Sequence, residues 1–142
     1  MADDKEQRQE LTEQGEILFR QVNPQFFTGG RISSQAFEAP RSHEGMLSVD
    51  RESLTTAKDS FTLFTEGFGL SSACVCGVSV GEVNQHQLHT YPEPVPAADD
   101  HPANEAHAVI DMAALGKKQM KKIASHLAQL ARARGVLYEP AI

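Results

Sequence analysis

Between Phe26 and Arg51 the chain gathers Arg31, Ser33, Ser34, Gln35, Arg41, His43, Ser48, Asp50 and Arg51 among apolar anchors. That is more hydrogen-bonding capacity than turns ordinarily use. Around Gly29-Gly30-Arg31 the chemistry on offer is anion binding. Backbone N–H groups left open by a glycine turn, beside the Arg31 guanidinium and the Ser33 and Ser34 hydroxyls, suit a phosphate, with Gln35 completing the set. Arg20 adds a second cation if its segment is a strand. No GxGxxG or GxxxxGK[ST] fingerprint accompanies them, so no cofactor is implied. The plainer reading is a polar loop whose hydroxyls bond local backbone and whose arginines pair with Glu38, Glu44 and Asp50.

Two other chemistries are weaker. His86, His89, His101 and His107 fall close together alongside Asp99, Asp100 and Asp111. Zinc sites need imidazoles at regular spacing, and here there is no HExxH, no CxxC, and a loop-like context around His101, so no metal ligands are assigned. Nucleophilic catalysis lacks a GxSxG elbow. Cys74 and Cys76 lie in an apolar run that should raise their pKa and blunt their reactivity, so no catalytic residue is assigned either. One residue apart, they would form a strained bridge and are read as reduced thiols.

Charge supplies the leading functional expectation. The formal net charge is −6. From Asp59 to Gly116 there are acids (Asp59, Glu66, Glu82, Glu93, Asp99, Asp100, Glu105, Asp111) and no Lys or Arg, whereas six of the thirteen basic residues crowd into Lys117 to Arg134. A lysine-free acidic span predicts a non-enzymatic factor of the immunity or antitoxin type that masks a basic toxin or nuclease. Tyr91 is its anchor, and Glu93, Asp99, Asp100 and Glu105 form the rim. The alternative is a small enzyme or ligand-binding domain holding a nucleotide or phosphate at Arg20, Arg31, Ser33, Ser34 and Gln35. A third reading, nucleic-acid binding through Lys117, Lys118, Lys121 and Lys122, is disfavoured by the acidic total and the lack of interleaved aromatics.

The elements that must position these groups follow from periodicity. At 142 residues, 40% apolar and 23% charged, the chain suits one domain with one core. The polar, acidic start and the lack of a long apolar run exclude a membrane span and a secretory signal and predict a cytoplasmic location. Residues 1–15 read as a polar helix or arm. Ile17 to Val22 is a strand before Asn23-Pro24, or the continuation of that first helix. Ile32 to Phe37 and Met46 to Val49 are strand candidates expected to pair across the Glu38 to Glu44 loop. Thr56 and Asp59 stand at capping-box spacing before a helix whose Ala57, Phe61, Phe64 and Phe68 form a core-facing stripe ended by Gly67 and Gly69.

Ala73 to Val80 is small, β-branched and uncharged, which predicts a central strand. Residues 81–88 suggest a helical turn or two. Residues 91–105, with Pro92, Pro94, Pro96 and Pro102, read as an acidic surface loop. Ala106 to Asp111 is a strand, and Leu115 to Arg134 is the best helix, with Met120, Ile123, Ala124, Leu127, Leu130 and Ala131 on one face. Val136 to Tyr138 would add an edge strand. The sum is an α+β domain, a small mixed sheet packed against two or three helices.

In Gly30-Arg31-Ile32-Ser33-Ser34-Gln35-Ala36-Phe37, Leu47-Ser48-Val49-Asp50 and Ala106-His107-Ala108-Val109-Ile110-Asp111 the chain resembles a group of small bacterial proteins of similar length. The resemblance implies a bacterial, single-domain protein and no particular activity. The Arg31 to Ser34 arrangement also resembles ADP-ribosyl transferase chemistry in outline only, with no motif matched residue by residue.

Overall fold

Ile17–Val22 forms strand β1 in the computed structural model, which describes residues 9–141. The strand ends where Pro24 removes a ladder donor, and Asn23 caps the 3-10 turn that follows by accepting from the Gln25 N–H. The strand reading therefore prevails over a continued helix. Residues 9–15 are not helical. They run as an arm tied to the sheet by the Leu11 N–H, which donates to Thr90 O at 2.8 Å, and Leu11 itself is buried. The rest of the expected N-terminal helix falls on residues 1–8, outside the described residues.

Phe27–Thr28 (β2) and Arg31–Ile32 (β3) pair as a short hairpin across Gly29-Gly30, whose φ of 60° and 78° cost least in residues without a Cβ. This hairpin overturns the expected partnership of residues 32–37 with residues 46–49. After Ile32 the chain winds into a 3-10 turn at Ser34–Phe37 instead, capped by Ser33 Oγ on the Gln35 N–H. The loop that follows is closed by Glu44 and Gly45, both at positive φ, and a Cβ on Gly45 would meet the Ala113 backbone at 2.6 Å.

Then come Met46–Arg51 (β4), Ala57–Thr62 (α1), Cys74–Ser79 (β5), Val80–Asn84 (α2), Thr90–Pro92 (β6), His107–Asp111 (β7) and Lys117–Arg134 (α3). Five strands make one sheet in the order β5-β1-β4-β7-β6. The α+β class is as expected, but every pairing is antiparallel, so the sheet is not mixed. The apolar Cys74–Ser79 strand, expected at the centre, lies at one end of the order. It is buried nonetheless because Val136 to Tyr138 covers its outer edge, with the Val75 N–H donating to Tyr138 O at 2.8 Å.

Alternation divides the strands between two faces. Leu18, Val22, Leu47, Val49, Cys74, Cys76, Val78, Ala108 and Ile110 join Phe37 and the α3 side chains Ile123, Ala124, Leu127, Ala128 and Ala131 in one core. Phe19, Gln21, Ser48, Asp50, His107 and Val109 alternate with them on the other face. α1 covers that face. Thr56 caps α1 through Oγ on the Asp59 N–H, and the helix then widens into a π turn over Leu63–Gly67, closed by Phe68 N–H to Leu63 O. None of Ala57, Phe61, Phe64 and Phe68 joins the core, so the expected core-facing stripe is overturned: it lies on the face of the sheet opposite α3.

Candidate ligand cleft

Two transverse rows of the sheet build the floor of a cleft. Phe19 pairs with Asp50 and Asp50 with His107, while Ser48 pairs with Val109 and Val109 with Tyr91; of these Phe19, Asp50, His107 and Ser48 line the cleft itself. Roofing this floor are Phe64, Phe68 and Leu70 from the π turn and its exit, and Val95 and Asn104 from the segment between β6 and β7. The space between floor and roof is ≈ 160 Å³ and opens to solvent. Its lining is apolar except where Gln21, Ser48, Asp50, Asn104 and His107 converge.

These polar groups are held rather than free. Asp50 accepts from Ser60 Oγ at 2.6 Å and from Asn104 Nδ2 at 2.9 Å. Gln21 Nε2 donates to Ser60 Oγ, and Ser72 Oγ donates to Gln21 Oε1, each at 2.8 Å. Such a chain fixes every rotamer along it. Its members come from five separate segments, so the tertiary fold alone assembles them.

His107 is oriented at both ring nitrogens. Nδ1 lies 2.8 Å from Glu93 O, and because a carbonyl only accepts, the proton sits on Nδ1. Nε2 is thereby left as the acceptor, and Ser48 Oγ donates to it at 3.1 Å. The Glu93 carboxylate stands 3.8 Å from Nδ1. Across the strand, the backbone of Ser48 is pinned from the opposite face, where Arg20 donates through Nη1 to Ser48 O at 2.9 Å and through Nε to Ala36 O at 2.8 Å. Loss of water around that guanidinium lowers its pKa to about 10, opposed slightly by Cys76.

The residues expected to hold a phosphate are only partly brought together. Arg31, Ser33 and Ser34 line one open depression with Thr28, Ser125 and Arg132. Gln35 is exposed and does not line it, and Arg20 is committed to two carbonyls elsewhere. Ser33 Oγ is occupied as a cap, and Arg132 Nη1 donates to Ile32 O at 2.7 Å.

The acidic residues of 91–105 lie on one projection between β6 and β7. β6 leads into a ladder in which Val95 bridges Asn104 and Ala98 bridges His101, so the expected Pro-rich loop is a narrow hairpin. Glu93, Asp99, Asp100 and Glu105 are exposed along it, and Tyr91 is half-buried at its base. Among the described residues the ion-pair partners of this lobe are histidines: His101 beside Asp100 and His107 beside Glu93. Lys117, Lys118, Lys121 and Lys122 are exposed at the start of α3.

The four histidines do not converge. His86 contacts His126 at 2.7 Å, His89 contacts Glu10 at 2.6 Å, His101 stacks on Phe68, and His107 serves the cleft. Among the described residues no three His, Cys, Asp or Glu side chains are grouped to hold a metal. Burial pushes the Cys74 thiol up to about 11 and the Cys76 thiol up to about 12. Among the described residues no helix is long and apolar enough to cross a membrane.

No protein-family model, curated protein or solved structure matches this chain. The cleft must therefore be read from its own geometry. Sequence reasoning missed His107 as a partner of Ser48, and Gln21, Ser60 and Asn104 altogether. The signal for the first was present: Leu47-Ser48-Val49-Asp50 alternates polar with apolar, as a half-buried strand does.

Proposed function

We propose that this domain binds a small organic molecule in the cleft, seating one planar ring or a similarly compact apolar group beneath Phe64 and Phe68. Polar atoms of the ligand then face Ser48 and His107. The observation that carries this reading is the convergence of five ordered polar side chains on an otherwise apolar space of ≈ 160 Å³. Mostly apolar concavities with a few fixed polar groups are the usual form of a ligand site. A dry cavity of about 150 Å³ accepts benzene, so one ring is the scale of group that fits.

Phenol and toluene are suitable probes, since they share a ring and differ in the hydroxyl that Ser48 and His107 would recognise. Nuclear magnetic resonance titration should give saturable shifts at Phe64, Phe68 and Val95, with Kd of about 1 mM for a fragment this small. Phenol should bind more tightly than toluene, and Phe68→Ala should weaken both. Shifts that never saturate, or that ignore Phe68→Ala, would remove the reading.

A second reading rests on the exposed carboxylates of the hairpin lobe. Glu93, Asp99, Asp100 and Glu105 share one projection, which suits a cationic protein surface such as that of a basic toxin or nuclease. Binding of a basic ribonuclease should then weaken as salt rises and disappear when Asp99 and Asp100 become Asn. Binding indifferent to both changes would exclude it.

A further inference from the structure

We infer that Ser48 is a nucleophile with His107 as its general base, and that the cleft serves acyl transfer from small esters carrying an aryl or short apolar group. This rests on the ligand reading above and adds a reaction to it. The support is the order of contacts. Ser48 Oγ reaches His107 Nε2 at 3.1 Å, and His107 Nδ1 is fixed by Glu93 O at 2.8 Å. A hydroxyl is a weak nucleophile until an adjacent base takes its proton, and the base must hold its lone pair toward that proton. Both conditions are met here without a third side chain, because a backbone carbonyl sets the tautomer.

Two more features point the same way. Arg20 holds the Ser48 carbonyl from the far face of the sheet, so it is a positioning residue for the backbone that carries the hydroxyl. Ser48 lines the Phe64–Phe68 cleft and also two adjoining depressions, one with Met46, Glu93 and Val109, the other with Gln21, Phe64 and Ser71. A group seated under the rings therefore has its carbonyl beside the hydroxyl, with open space for a leaving alcohol.

The step balances within the named groups. Ser48 Oγ attacks the ester carbonyl carbon as its proton passes to His107 Nε2. The bond from that carbon to the leaving oxygen breaks, and the departing alkoxide recovers the proton from Nε2. Water deprotonated by the same nitrogen then attacks the acyl carbon, the bond from that carbon to Oγ breaks, and Oγ recovers the proton from Nε2 as the acid is released. The Glu93 carboxylate stands 3.8 Å from Nδ1, at the ring nitrogen that Ser48 does not use.

The test uses 4-nitrophenyl acetate on the full chain, following 4-nitrophenolate release and mapping acetyl groups by peptide mass spectrometry. Acetylation is expected on Ser48, with the rate falling by about 100-fold or more in His107→Gln. Ser48→Ala should lose the adduct, whereas Ser48→Cys, which keeps a nucleophile there, should remain labelled. Folded wild-type protein with no acetyl on Ser48, or labelling of Ser48 unchanged in His107→Gln, would overturn the inference. The phenol titration run on the same samples separates the two proposals: saturable shifts without acylation leave the ligand site standing, and the loss of both removes both.

Discussion

The two faces of the sheet are made from alternate residues of the same five strands, yet they are finished differently. Against α3, Leu18, Leu47, Val78, Ile110 and Phe37 are completely buried in one apolar cluster. Under α1, phenyl rings roof a chain of polar groups and leave a cleft open. The first face is mostly packing, with the Arg20 guanidinium and its two carbonyl acceptors as its polar exception, so side-chain volume largely decides it. The second buries hydrogen-bonding groups that must each find a partner, and that requirement orders Asp50, Ser60, Gln21 and Asn104 more strictly than apolar contact would.

The widest contrast should appear between Phe37 and Phe68. Phe37→Ala would leave a cavity in the sealed core at a cost of about 4 kcal/mol in unfolding free energy. Phe68→Ala removes a ring that is only partly buried and stacked on His101, and its stability cost should be about half of that or less. Urea denaturation of both variants checks the comparison. Equal losses would mean that the rings over the cleft are core residues, as the helical spacing of Phe61, Phe64 and Phe68 implies.

A smaller effect separates shape from charge on the cleft side. Asp50→Ala leaves Ser60 Oγ and Asn104 Nδ2 without their acceptor in a buried setting, which should cost about 2 kcal/mol. Asp50→Asn keeps the shape and one acceptor oxygen, and should recover part of that loss. If Ala and Asn behave alike, the polar chain is not what orders this face.

The same contrast explains what the sequence makes legible. The α3 face is written in periods: Ile123, Ala124, Leu127 and Ala131 at helical spacing, and unbroken apolar runs such as Cys74 to Val78. The α+β class and the last helix can be read from those alone. Ser79 with Glu82, which form a reciprocal cap on α2, and Thr56 on α1 are equally local signals. The cleft is not written locally. Gln21, Ser48, Asp50, Ser60, Asn104 and His107 come from distant segments, and strand order, which no local pattern encodes, brings them together. The Gly29-Gly30 turn is legible as a turn, but the hairpin that it closes between Phe27–Thr28 and Arg31–Ile32 is too short to announce itself. The π turn is likewise silent, since Phe61, Phe64 and Phe68 keep α spacing while the backbone does not.

Acid should reach the two faces unequally, because α2 and the turn that follows it are fastened to α3 by groups that titrate. Burial tends to raise the Glu82 carboxyl, but hydrogen bonds from Arg134 and from the Ser79 backbone outweigh it, so its pKa lies below the ordinary carboxylate range. His86 is lowered, first by burial and then by His126. Both folded values are depressed, so in each case the unfolded chain takes up the proton more readily, and the stabilisation present at neutral pH fades as pH falls. For His86 the loss begins as pH drops through the ordinary imidazole range, and for Glu82 only in the carboxylate range. His86→Gln should therefore flatten the stability curve between about pH 7 and 5, and Glu82→Gln only below about pH 5, each by about 1 kcal/mol or less because both sites are partly open to solvent. Urea midpoints across pH give both curves. Amide exchange adds the contrast between faces: acid should speed exchange in α2 and the last turns of α3 before the β4 and β7 amides. If those strands loosen first, the titrating contacts between α2 and α3 do not set the acid limit of this fold.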